Sequence, residues 1–257
     1  MTQGRATYVY CVVAARKRPR LTPVPAGLPG TGPVRLLDVE RGRYLVVADA
    51  PLSRYGETAI RRGLSDLAWV SRAAVAHEAV VEAFIAADAV LPMKLFTLFT
   101  SDDSALAHLH GDRHRIESLV KRLGRHNEWG LRVVLDEPAP AAARSGARAT
   151  PPRSGLAYLA RKGAQRVAAR ERAQRAQEAV GRLYDRLAER SRVAKRRPAS
   201  ELPVQGGPLL LDAAFLVPRS RSRMFTALVA REARALAREG YDLTLTGPWP
   251  PYSFVQE

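Results

Sequence analysis

From Leu156 to about Arg190 the sequence carries one narrow apolar stripe at helical spacing: Ala169, Ala173, Ala176, Val180, Leu183 and Leu187. Every other face of that helix is heavily charged. A helix patterned this way does not belong at the centre of a core. It has to lie across a sheet or along a partner helix. The run Arg196-Arg197-Pro198 marks its end, since proline cannot continue a helix.

The remaining segments supply sheets for such a helix. Thr7-Tyr8-Val9-Tyr10-Cys11-Val12-Val13-Ala14 is β-branched and aromatic and reads as a buried strand. A loop rich in Pro and Gly follows, and then Val34 to Val39 and Arg43 to Ala48 flank Glu40-Arg41-Gly42 as a hairpin. Leu67, Val70, Ala74, Val81 and Phe84 share one face of a helix from Ser65 to about Ala87. Val90 to Phe99 reads as a strand. Asp102 or Asp103 then caps a helix with a break at Gly111, and Trp129 to Leu135 forms a strand closing the first half. In the second half Leu209 to Val217 and Tyr241 to Thr246 read as strands around a helix from Arg223 to Arg238.

The expected fold class is α+β with two domains. Residues 1–137 form an N-terminal ferredoxin-like variant, a sheet with helices on one face. Residues 138–153, rich in Ala and Pro, are a linker. Residues 154–257 form a C-terminal α+β domain with a long charged helix and a Pro/aromatic tail.

The formal net charge of +16 suggests an anionic partner, and a basic nucleic-acid-binding protein is the alternative function it raises. The competing reading is an Arg- and Ala-rich composition with no site behind it. One cysteine, Cys11, excludes an internal disulfide and fits a reducing, cytoplasmic setting. No apolar stretch is long enough for a membrane span.

No constellation for catalysis, cofactor or metal emerges. Gly27-Leu28-Pro29-Gly30-Thr31-Gly32 lacks the Lys of a phosphate loop and reads as a plain loop. His110 and His114 have ligand spacing, but Gly111 interrupts the helix and no third ligand is signalled. His77-Glu78 sits on a helix without a signalled substrate pocket, and reads as a partly buried His. Arg192 to Arg197 reads as a solvated basic linker. The chain is expected not to be an enzyme and to need no small-molecule substrate.

The run Gly247-Pro248-Trp249-Pro250-Pro251-Tyr252-Ser253-Phe254 is unusual. Its prolines hold it extended at little entropic cost, and its rings offer apolar area. Packing back on its own domain as a lid is favoured over external docking. Candidate partner-binding residues are Val180, Leu183 and Leu187 on the helix and Trp249, Tyr252 and Phe254 in the tail.

Read with its preceding strand, Leu243 to Phe254 resembles the C-terminal signature of the GvpL/GvpF family of gas vesicle proteins. Tyr8-Val9-Tyr10, His77-Glu78-Ala79-Val80-Val81, Val90-Leu91-Pro92-Met93-Lys94, Trp129-Gly130-Leu131-Arg132-Val133, Ser154 to Leu159 and Leu211 to Val217 resemble further family segments in the same order. The pattern has Gly where Cys11 stands, and Phe-Gly where Leu95-Phe96 stand. The resemblance implies two α+β domains and a cytoplasmic gas vesicle accessory protein. It implies binding to the hydrophobic shell protein GvpA and other accessory Gvp proteins during nucleation and assembly.

Overall fold

A computed structural model of the chain describes residues 4–22, 25–40, 42–135, 155–198 and 207–255. The chain divides into two compact units, Met1–Glu128 with Pro248–Glu257, and Trp129–Gly247. The expected linker at 138–153 lies outside the described residues.

The first unit is built on β1 (Arg5–Ala14), β2 (Arg35–Glu40), β3 (Arg43–Pro51), β4 (Ala89–Pro92) and β5 (Leu98–Phe99). The sheet order is β2-β3-β1-β4, with β5 also on β1, and all these pairings are antiparallel. The strand order is that of a ferredoxin-like sheet. A loop replaces the first crossover helix, and β1 and β3 run antiparallel as in that fold. Ala6 to Ala14 are buried without interruption. Successive side chains point to opposite faces, so both faces of this sheet are covered, and the expected one-sided arrangement is corrected. A register shift between Val9 and Cys11 puts Tyr10 and Cys11 on one side. Tyr8, Tyr10, Cys11 and Val13 therefore share one core cluster, with Val46, Ala48, Val80 and Phe84. Val12 faces the other way, towards Leu109 and Ile116.

The helices of this unit are α1 (Leu52–Tyr55), α2 (Glu57–Gly63), α3 (Leu67–Glu82), α4 (Asp102–Gly111) and α5 (Arg113–Leu123). Asp66 caps α3 by accepting from Ala68 N and Trp69 N. The inward face of α3 is Ala73, His77, Val80 and Val81; of the expected stripe Val81 and Phe84 are buried, Val70 and Ala74 are half-buried and Leu67 is exposed. Ser101, not Asp102 or Asp103, caps α4. Asp102 instead takes a two-pronged bond from Arg35 at 2.7 and 2.9 Å and one from Thr7 Oγ1 at 2.7 Å. The single strand expected from Val90 to Phe99 is two, separated by a turn in which Thr97 N bonds Lys94 O. Phe96 sits there at φ 65°.

The second unit runs β6 (His126–Leu135), α6 (Gly155–Ala188), β7 (Val193–Arg196), β8 (Leu209–Pro218), α7 (Ser222–Ala237) and β9 (Tyr241–Trp249). The sheet order β7-β8-β6-β9 with this βαββαβ succession is the ferredoxin-like split βαβ arrangement. The strand order expected of the first half thus recurs here, with both crossover helices present. The strand from Trp129 pairs in this sheet, so it opens the second unit and does not close the first. The basic run from Arg192 is also not a linker: it contains β7, an edge strand whose Lys and Arg suit an edge. Arg197 follows it and, with Arg132, pairs the buried Asp212 at 2.7 and 3.3 Å.

Candidate interaction site

In the first unit, the residues after β9 form a built feature. Pro250 and Pro251 are buried, and Tyr252–Phe254 make one tight turn. Phe254 is fully buried, and Tyr252 packs against the core cluster. The buried carboxylate of Glu128 accepts from Ser253 N at 2.7 Å and from Ser253 Oγ at 2.6 Å. Arg122 donates to Phe254 O at 2.8 Å. The run is a lid, but on the first unit, whereas the sequence places it with the second.

This lid borders a cavity of about 490 Å³ lined by Val12, Leu91, Leu95, Leu109, Ile116 and Leu119 among others, with Tyr252 and Val255 from the lid. Glu78, Lys94, Asp112 and Arg115 also line it. His77 borders it from α3. Phe96 N donates to Tyr8 Oη at 3.2 Å, and Tyr8 Oη lies 2.7 Å from His77 Nδ1. Burial pushes the Tyr8 hydroxyl well above the usual phenol range, so it stays protonated and can donate a hydrogen bond to Nδ1. With Nδ1 accepting, neutral His77 carries its own proton on Nε2, a buried atom without a hydrogen-bond partner. Burial lowers the His77 pKa to about 4, and the Met93 backbone only partly opposes this. The Tyr252 hydroxyl is likewise buried without a hydrogen bond, and its pKa is raised first by burial and then by Glu78. The cavity thus offers apolar walls, a charged margin and two polar atoms with unused capacity. That chemistry suits an apolar side chain from a partner better than a reacting substrate.

The six sequence-derived contact residues divide sharply. Val180, Leu183 and Leu187 lie inside the core of the second unit beside Phe215 and Phe225. Phe254 is core and Tyr252 is half-buried. Trp249 alone is exposed, at 36%. The apolar stripe of α6 covers its own sheet, so it is not an outward-facing surface. It also begins late: every described side chain of α6 from Leu159 to Arg175 is exposed, and Ala176 is the first buried one.

Other expected non-sites fall in ordinary places. Leu28 plugs the core and its N–H bonds Tyr10 Oη at 3.0 Å, which makes the Gly27–Gly32 run a structural loop. Gly27 has φ 81°, and a Cβ there would lie 2.3 Å from that hydroxyl. His110 and His114 fall on different helices. Among the described residues no group of three or more His, Cys, Asp or Glu is placed to hold a metal, and no helix is long and apolar enough to cross a membrane.

The sequence profile of the gas vesicle synthesis proteins GvpL/GvpF matches residues 6–256. The chain belongs to the GvpL/GvpF family. Gas vesicle protein L of Streptomyces sp. (strain CB03234) is 34% identical over 263 residues, covering 99% of this chain and 94% of that protein. Gas vesicle protein F of the same organism is 31% identical, covering 98% and 100%. The crystal structure of GvpF from Anabaena sp. PCC7120 shares the fold, with a TM-score of 0.67 at 16% identity over 98% of this chain and 97% of that one. GvpF from Microcystis aeruginosa gives 0.64 at 15% identity, with 98% and 99% covered. As a GvpL/GvpF protein, the chain has a role in gas vesicle formation. Phe96 holds a left-handed backbone conformation, which Gly adopts freely.

Proposed function

We infer that this GvpL/GvpF protein acts in the cytoplasm and at the vesicle as a non-enzymatic assembly factor. It binds the hydrophobic shell protein GvpA, and other Gvp proteins, while the shell nucleates. The observation that carries this reading is the cavity of the first unit. Tyr252, from the motif on which the resemblance rests, and the adjoining Val255 form part of its lining, which supports this reading. A shell subunit exposing apolar surface needs such a seat before it polymerises. The test is capture of GvpA by the full chain and by a Leu95→Glu/Ile116→Glu variant. Capture by the former and its loss in the latter, with the melting temperature kept, is expected. Equal capture by both refutes the cavity as the seat.

A further inference from the structure

Helix α6 is 34 residues long, yet among its described side chains the buried ones begin at Ala176. The preceding stretch, 159–175, is exposed on every described side chain, over a length of about 25 Å. It holds six cationic residues, Arg161, Lys162, Arg166, Arg170, Arg172 and Arg175, against one acid, Glu171. Arg161, Arg166, Arg170 and Arg172 take part in no ion pair among the described residues. Arg175 donates to the Glu171 carbonyl.

Helical spacing orders this surface into two adjacent ridges. Leu159, Gly163 and Val167 follow one another at intervals of four, as do Lys162, Arg166 and Arg170. Leu159 is 63% exposed and Val167 56%. Between them a Cβ on Gly163 would meet nothing within 4 Å, leaving a notch where another backbone can approach. Three features of this stretch are locally unfavourable: like charges one turn apart, apolar side chains in water, glycine within a helix. A partner that supplies carboxylates and apolar cover reverses the first two.

We propose that residues 159–175 of α6 seat an acidic amphipathic helix of another protein. Its apolar stripe lies over Leu159, the Gly163 notch and Val167, and its Asp or Glu side chains pair with Arg166 and Arg170. This rests on the assembly-factor reading and names the chemistry of one partner. A second copy of this chain would bring the same cations together, so it does not fit. Nucleic acid would satisfy the arginines but not Leu159 or Val167, and 159–175 carries no aromatic ring on which a base could stack.

The test uses the full chain and a labelled synthetic helix of about twenty residues with Leu on one face and Glu beside it. A scrambled peptide of the same composition and a single-stranded DNA of similar length are run alongside. Binding to the patterned peptide should exceed the scrambled one by about tenfold or more, and fall by a similar factor in Arg166→Glu/Arg170→Glu and in Val167→Asp. These sites are exposed, so an unchanged melting temperature is the folding control. Equal binding of both peptides, or DNA binding tighter than peptide and insensitive to Val167→Asp, overturns the proposal. The peptide assay contains no vesicle protein, so it decides the α6 seat independently of GvpA capture.

Discussion

Acid should destabilise the first unit through a single imidazole. His77 is 2% exposed, and burial holds its pKa at about 4, against 6.5 for the free side chain. Around it lie the rings of Tyr8 and Tyr10, with centroids 5.8 and 5.5 Å away, which offer an imidazolium no counter-charge. Above about pH 6.5 the ring is neutral in both folded and unfolded chains, and the stability of the unit is fully present. Below that the unfolded chain takes up a proton that the folded ring refuses, so stability falls with pH until about pH 4. The interval is worth roughly 3 kcal/mol, of which about 2 kcal/mol is lost by about pH 5. The assay is urea unfolding near pH 7.5 and pH 5, followed by amide exchange along β1, for the native chain and His77→Gln. The Gln carbonyl still accepts from Tyr8 but does not titrate, so the variant should lose about 2 kcal/mol less between the two conditions. An equal loss in both proteins, or an NMR midpoint for His77 near its free value, refutes the burial argument.

Phe96 and Phe254 give two further tests. Phe96 stacks on Trp69 with centroids 5.0 Å apart while its backbone holds φ 65°. Phe96→Gly should therefore be more stable than Phe96→Ala by about 1 kcal/mol, since Ala loses the ring and keeps the strain; the reverse order in thermal unfolding would show that the backbone is not strained. Phe254→Ala should cost about 3 kcal/mol and register as faster amide exchange in β1 and α3, with β8 protected as before. Exchange that quickens only in β8 would place the lid wrongly.

Local pattern made most elements legible, because β-branched runs and helical stripes are written in neighbouring residues. What it could not carry was partnership. Trp129 to Leu135 reads as a strand from its own residues, but its pairing in the second sheet is set by contacts with chain far ahead. The lid shows the same limit: Glu128 and Arg122 receive it more than a hundred residues away. His77 was legible as a buried ring on α3, but its partner Tyr8 lies 69 residues away and was not. In α6 the alanines misled, because Ala fits a buried stripe and an exposed face alike, and Ala173 is exposed while Ala176 is buried. The signature at Leu243 to Phe254 was the most informative stretch for family. Its physics alone pointed to a lid without saying on what.

The lid also sets a schedule. A ribosome makes residues 4–128, then all of the second unit, and only then the prolines and rings that finish the first. Until Tyr252 and Val255 emerge, the cavity lacks part of its wall and Glu128 has not received Ser253. The proposed seat is therefore formed only once the residues after β9 have been made. In the proposed assembly role, that order keeps an unfinished first unit from engaging a client.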